Sequence, residues 1–128
     1  MYHYLLVGLG GGLGAIARAV LGGFILHRTA DWRFPIGTFI VNVLGCLIGG
    51  VLAGLIARYE YFSPQARVFL FTGLLGGFTT FSAFGLETVT LIRQGAFGVA
   101  MSYVLLSVVA GIGALAIAFT IIDPPGHS

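Results

Sequence analysis

Four long apolar stretches, each followed by a short polar connection or tail, set the pattern of the chain. They run over residues 4–26, 35–57, 68–92 and 97–122. A membrane-crossing helix needs about 20 apolar residues, so each stretch is long enough to span. The pattern predicts an all-α membrane protein with four transmembrane helices and one domain over residues 1–128. Both termini and the connection over residues 59–67 then share one side of the membrane.

The third stretch departs from the others. It contains the run Thr72-Gly73-Leu74-Leu75-Gly76-Gly77-Phe78-Thr79-Thr80-Phe81-Ser82-Ala83-Phe84. Adjacent glycines and adjacent threonines weaken a helix where lipid demands an unbroken one. Backbone groups freed at membrane depth are tolerated only when buried in protein or lining a polar cavity. The third helix is therefore expected to be broken here. The break would expose carbonyls, the hydroxyls of Thr79, Thr80 and Ser82, and the rings of Phe81 and Phe84. Discontinuous helices of this kind handle ions in transporters.

Composition sharpens the membrane assignment. The chain is 58% hydrophobic and 8% charged, with a mean hydropathy of +1.04. Soluble domains carry about 25% charged residues. The six basic residues form no cluster, so the pI near 9 does not point to nucleic acid. Cys46 is the one cysteine, which excludes an intrachain disulfide. The N-terminus lacks the positive region of a cleavable signal peptide. The run Gly10-Gly11-Gly12-Leu13-Gly14 imitates a dinucleotide fingerprint, but it lies inside a predicted span without the strand that motif requires. Close helix packing explains it better. Gly8/Gly12, Gly10/Gly14, Gly45/Gly49, Gly50/Gly54 and Gly73/Gly77 are all small-xxx-small pairs.

Charges in the connections bear on orientation. Arg58 and Arg67 flank the middle connection, while Arg28, Arg33 and Arg93 lie on the other side. Lys/Arg bias in short loops sets topology, and this bias is almost nil. The chain is expected to insert both ways, which allows two opposed copies to pair about a two-fold axis in the membrane plane.

Polar residues inside spans are functional candidates, since burial without a partner is costly. Thr38, Asn42, Cys46 and Gly49 share a face of the second span, and Tyr103, Ser107 and Gly111 form a stripe on the fourth. Such residues either glue helices together or line a polar track. An Asn amide both donates and accepts and needs several partners. Phenyl edges are electropositive, so Phe81 and Phe84 suit an anion met edge-on. Arg18, among alanines in the first span, suits snorkelling, an ion pair or the positive field of a vestibule. Glu87 follows Phe84 on the same helical face and suits a salt bridge or a cap. His3, His27 and His127 show no metal-binding spacing.

These residues resemble the Fluc (CrcB-type) fluoride channel family. The matching elements are Gly14-x-x-x-Arg18, Gly37-Thr38-x-x-Val41-Asn42-x-x-Gly45, and the third-span run from Thr72 through Phe81-Ser82-x-Phe84 to Glu87. The likeness covers essentially the whole chain. It implies passive, fluoride-selective export across the bacterial inner (cell) membrane. It also implies an antiparallel dual-topology homodimer set in membrane lipid, with two pores. By resemblance the pore asparagine is Asn42 and the anion-facing rings are Phe81 and Phe84. Thr38, Ser82, Tyr103 and Ser107 would form the polar track, and Arg18 the vestibule arginine. A structural sodium ion would sit on backbone carbonyls of Gly76 and Thr79 from both copies. Ala83 and Gly111 stand where relatives often carry hydroxyl residues.

Two other classes compete. A small dual-topology multidrug exporter has this size, but it needs a first-span carboxylate, and here that span carries only Arg18. A non-transporting membrane scaffold leaves Asn42 with Phe81 and Phe84 unexplained. No nucleophile, base and orienting group come together in the sequence, so an enzyme is not expected.

Overall fold

The computed structural model describes residues 2–126, so His127 and the final serine fall outside the described part. The elements are α1 (Tyr2–Arg28), α2 (Ile36–Tyr59), α3 (Pro64–Arg67), a π-helical segment (Val68–Leu75), α4 (Gly76–Phe78), α5 (Phe81–Arg93) and α6 (Phe97–Ile122). Among the described residues there is no strand. Four spans are long and apolar enough to cross a membrane: Tyr2–Arg28, Ile36–Tyr59, Pro64–Arg93 and Phe97–Ile122. At 1.5 Å per residue the 26-residue α6 is about 39 Å long, more than the hydrocarbon thickness. The protein is thus a multi-pass membrane protein.

The fourth span coincides with its predicted bounds, and the first two differ by two residues or fewer at each end. The third begins four residues earlier than the apolar pattern suggests. Ser63 caps α3 there, its hydroxyl accepting from the Ala66 N–H at 3.1 Å, and Pro64 follows at the first helical position. Proline fits that position because its missing N–H would have no helical partner.

Backbone proximity explains the glycines. On Gly10, a side chain would meet the Phe69 carbonyl at 2.6 Å, and on Gly73 the Cα of Gly10 at 3.0 Å. Gly14 faces the Leu74 carbonyl even more closely. So α1 presses directly on the backbone of the π-helical segment and α4. Gly50 of α2 rests in the same way on the Leu115 backbone of α6, and Gly54 rests on the Ile122 side chain. Gly8 and Gly12 differ: among the described residues, nothing outside their own helix backbone lies within 4 Å of a side chain placed there. That glycine pair faces away from the chain.

One buried cluster anchors the far end of the third and fourth spans. Leu91, Ala96, Ala100 and Tyr103 form it, with Phe34, Phe39 and Phe84 packed against them. Phe34 meets the Tyr103 ring edge-on at 5.3 Å between centroids, and Phe84 meets it at 5.0 Å. This fixes the α5–α6 angle, and with it the position of the phenylalanines at the start of α5.

Candidate functional site

The third span changes direction at Thr79 and Thr80. Both have extended backbone, with φ/ψ of −86°/156° and −148°/120°. Glycine at position 45 of α2 makes room for this, because a side chain there would run into the Thr79 methyl group. Thr79 closes α4: its N–H and its hydroxyl both donate to the Leu75 carbonyl at 2.9 Å. Thr80 opens α5, its hydroxyl accepting from the Ala83 N–H at 3.2 Å as an N-cap.

Asn42 holds the junction. Its Nδ2 donates to the Thr80 carbonyl at 3.0 Å, and its Oδ1 accepts from the Thr80 N–H at 2.8 Å. The amide thus pairs with both backbone groups of one residue, Thr80, as a neighbouring strand would. Both bonds fix the flip of the amide and leave one N–H of Nδ2 uncommitted.

Beside this clamp lies a cavity of about 300 Å³. Asn42, Cys46, Thr79, Thr80, Phe81, Phe84, Ser107 and Gly111 are among its lining residues. The structure therefore brings Asn42, both phenylalanines and Ser107 together. The two rings are 5.8 Å apart at their centroids and tilted by 43°. Phe81 is 84% exposed, so its ring projects from the chain, whereas Phe84 packs back on Tyr103. The Ser107 hydroxyl is buried and has no hydrogen-bond partner within the described chain.

A second, larger cavity of about 730 Å³ opens near the α1–α2 connection. Arg18, Thr38, Thr80 and Glu87 line it together with Asp31, Trp32 and Arg33. Thr80 alone lines both cavities. The Thr38 hydroxyl donates to the Glu87 carboxylate at 2.6 Å. Arg18 reaches across from α1, its Nε donating to the Gly77 carbonyl at 3.1 Å.

The remaining predicted residues lie elsewhere. Tyr103 is fully buried and lines neither cavity, and its hydroxyl, like that of Ser107, has no partner within hydrogen-bonding geometry among the described residues. Ser82 is exposed, with its hydroxyl 3.5 Å from that of Thr80. Gly76 is also exposed, and a side chain there would meet only the Phe71 carbonyl, at 3.5 Å. Sequence reasoning passed over the Thr80 backbone, although its place in a Thr-Thr pair was a readable signal. Cys46, set by its spacing on the same face of the second span as Asn42, lines the smaller cavity with it.

Residues 5–119 match the family described as CrcB-like protein, Camphor Resistance (CrcB). The chain is 51% identical over 122 residues to a Methylobacillus flagellatus protein named fluoride-specific ion channel FluC, covering 95% of each chain. Proteins of the same name from Rhodopseudomonas palustris and Rhizobium meliloti are 47% and 44% identical, over 88% and 91% of this chain and 90% and 91% of their own lengths. Matched by the family over residues 5–119 and by a 51%-identical relative over 95% of its length, the chain belongs to the CrcB-like family.

Proposed function

We propose that this protein is a passive, fluoride-selective channel that lets fluoride leave the cell across the bacterial inner membrane. The observation that carries the proposal is the 300 Å³ cavity, where Asn42, Phe81, Phe84 and Ser107 meet at the extended Thr79–Thr80 backbone. Relatives 44–51% identical bear the name of fluoride-specific channels.

The chemistry suits a small, strongly hydrated anion. Such an ion gives up water only where donors and positive edges replace it, and where binding is weak enough for release. The uncommitted Asn42 N–H and the Ser107 hydroxyl supply donors. Phe81 and Phe84 supply ring edges. The polar track continues through Ser82, Thr38 and Tyr103, and Arg18 gives the wider vestibule a positive field.

The working unit in this proposal is an antiparallel homodimer of dual-topology chains with two pores. The exposed Phe81 ring, the open face at Gly76 and the outward Gly8/Gly12 pair support it, as surfaces that a second copy would cover. At the centre, Gly76 and Thr79 carbonyls from both copies would hold one sodium ion. The donor set fits: the extended backbone at Thr79 and Thr80 removes the helical donor of each oxygen, and no group of three His, Cys, Asp or Glu residues offers a charged alternative among the described residues. A few hard neutral oxygens suit a monovalent cation better than a divalent one. When bound, the ion supplies a fixed positive charge between the two pores.

The test is efflux from liposomes holding the purified protein, with chloride as the control anion. Fluoride release without a proton gradient is expected, with chloride retained. Equal release of both anions, or drug-proton exchange instead, overturns the proposal.

A further inference from the structure

An uninterrupted α-helix through the third span would make four hydrogen bonds across Thr79 and Thr80: Thr80 N–H to Gly76 O, Phe81 N–H to Gly77 O, Ser82 N–H to Phe78 O and Ala83 N–H to Thr79 O. The extended backbone breaks all four. Side chains then take up some of the freed groups, and they do so selectively. Asn42 Oδ1 takes the Thr80 N–H at 2.8 Å, which leaves Gly76 O without its helical donor. The Thr80 hydroxyl takes the Ala83 N–H at 3.2 Å, which leaves Thr79 O likewise. Arg18 does the opposite: its Nε occupies an acceptor, Gly77 O, at 3.1 Å.

Three carbonyls are then left without their helical donors: those of Gly76, Phe78 and Thr79. Phe78 is buried, with Gly14 against its backbone and Gly45 against its ring. Gly76 is exposed and Thr79 half-buried, so these two residues belong to the part of the junction open to a second copy. Gly77 sits directly between Gly76 and Phe78, and its backbone rests on Gly11 of α1. A free Gly77 oxygen would be one more hard ligand beside the pair.

We propose that Arg18 is a positioning residue for the central cation site: its hydrogen bond to Gly77 O withdraws that oxygen and fixes the peptide, so that Gly76 O and Thr79 O are the ligands presented to the cation. The inference rests on the sodium site of the proposed function and adds a residue 59 positions away in sequence from the carbonyl it holds. It separates from a purely electrostatic role by sign. A guanidinium near a cation site opposes cation binding through its charge, so an Arg18 acting only as vestibule charge would, on removal, tighten sodium binding. An Arg18 that orders the carbonyls would, on removal, weaken it.

The experiment measures the sodium concentration that half-protects the purified dimer against thermal unfolding, in an N-methylglucamine background. The parent, Arg18→Gln, Arg18→Lys and Arg58→Gln are compared. Arg58 also donates to a carbonyl, that of Ile122 at 3.1 Å, but at the end of α6. Loss of a hydrogen bond from a charged donor is expected to raise the half-protecting concentration about tenfold in Arg18→Gln. Arg18→Lys keeps the charge but lacks the fixed Nε–H, so it should weaken sodium protection in the same direction; if Arg18→Gln does not assemble, this variant decides. Arg58→Gln should stay within about twofold of the parent. Unchanged or tighter sodium protection in the Arg18 variants, with the parent sodium-dependent, overturns the positioning role alone. A parent with no sodium dependence overturns the cation site and this role together.

Discussion

Asn42 and Thr80 exchange two hydrogen bonds, from Nδ2 to the Thr80 carbonyl and from the Thr80 N–H to Oδ1, at 3.0 and 2.8 Å. Sequence reasoning places Asn42 in the pore as an amide donor. The structure gives it a further task, holding the peptide at which the third span turns. Asn42→Asp keeps the acceptor for Thr80 N–H but removes the donor to Thr80 O. An unpaired buried acceptor costs about 1–3 kcal/mol, and the new carboxylate repels anions. Fluoride efflux should fall at least about a hundredfold, with a lower unfolding temperature for the purified protein. A variant with parental efflux would remove Asn42 from the site.

Phe81 and Phe84 should separate in a pair of isoleucine substitutions. Isoleucine keeps each site apolar and removes the positive ring edge. Both variants should lose fluoride efflux by tenfold or more. Only Phe84→Ile should also lose stability, by about 1 kcal/mol, because only Phe84 packs on the Tyr103 ring within the chain. Efflux at the parental rate in either variant assigns that ring to packing.

Gly14 and Gly76 test where crowding arises. Gly14→Ala places a methyl group against the Leu74 carbonyl of the same chain. Overpacking of this kind costs about 1–3 kcal/mol, so unfolding in mild detergent should shift to lower temperature. Gly76→Val has open space within the chain, since the nearest atom to a side chain there is the Phe71 carbonyl at 3.5 Å. It should leave the single chain intact yet convert dimers to monomers on size exclusion, with efflux lost. A Gly76→Val dimer as tight as the parent would place this face outside the interface.

Orientation follows from two arginines, Arg58 and Arg67, against Arg28, Arg33 and Arg93. Adding two lysines to the connection at residues 29–34 sets five basic residues against two and should push insertion towards one orientation. Fluoride resistance of cells should fall, and co-expression of an oppositely biased copy should restore it. Full resistance from a uniformly oriented population refutes dual topology.

The spans were legible because lipid leaves one strong signal, an unbroken apolar run long enough to cross. Their ends were legible where polar residues stop the run, as Asp123 does after α6. The π-helical geometry of Val68–Leu75 was not. It arises where α1 glycines press on that segment's backbone, and apolar periodicity does not encode a neighbour's proximity. The site was half legible. The residues that line it were visible as polar positions in apolar surroundings. Their partners were not, since Asn42 meets Thr80 38 positions along the chain and Arg18 meets Gly77 59 positions along. Such pairs exist only once helices are packed.

The hydroxyls of Tyr103 and Ser107, buried with no internal partner, have a kinetic consequence. A donor already engaged must exchange one bond for another before it receives an ion, and each exchange adds friction to passage. A donor with nothing to surrender receives the ion without that reorganisation, but is left unpaired again when the ion departs, at a cost of about 1–3 kcal/mol. Under the channel proposal, the Ser107 hydroxyl, the one of the two that lines the cavity, lengthens the ion's dwell there, so that escape from the interior weighs more on throughput than shedding of water at the entrance.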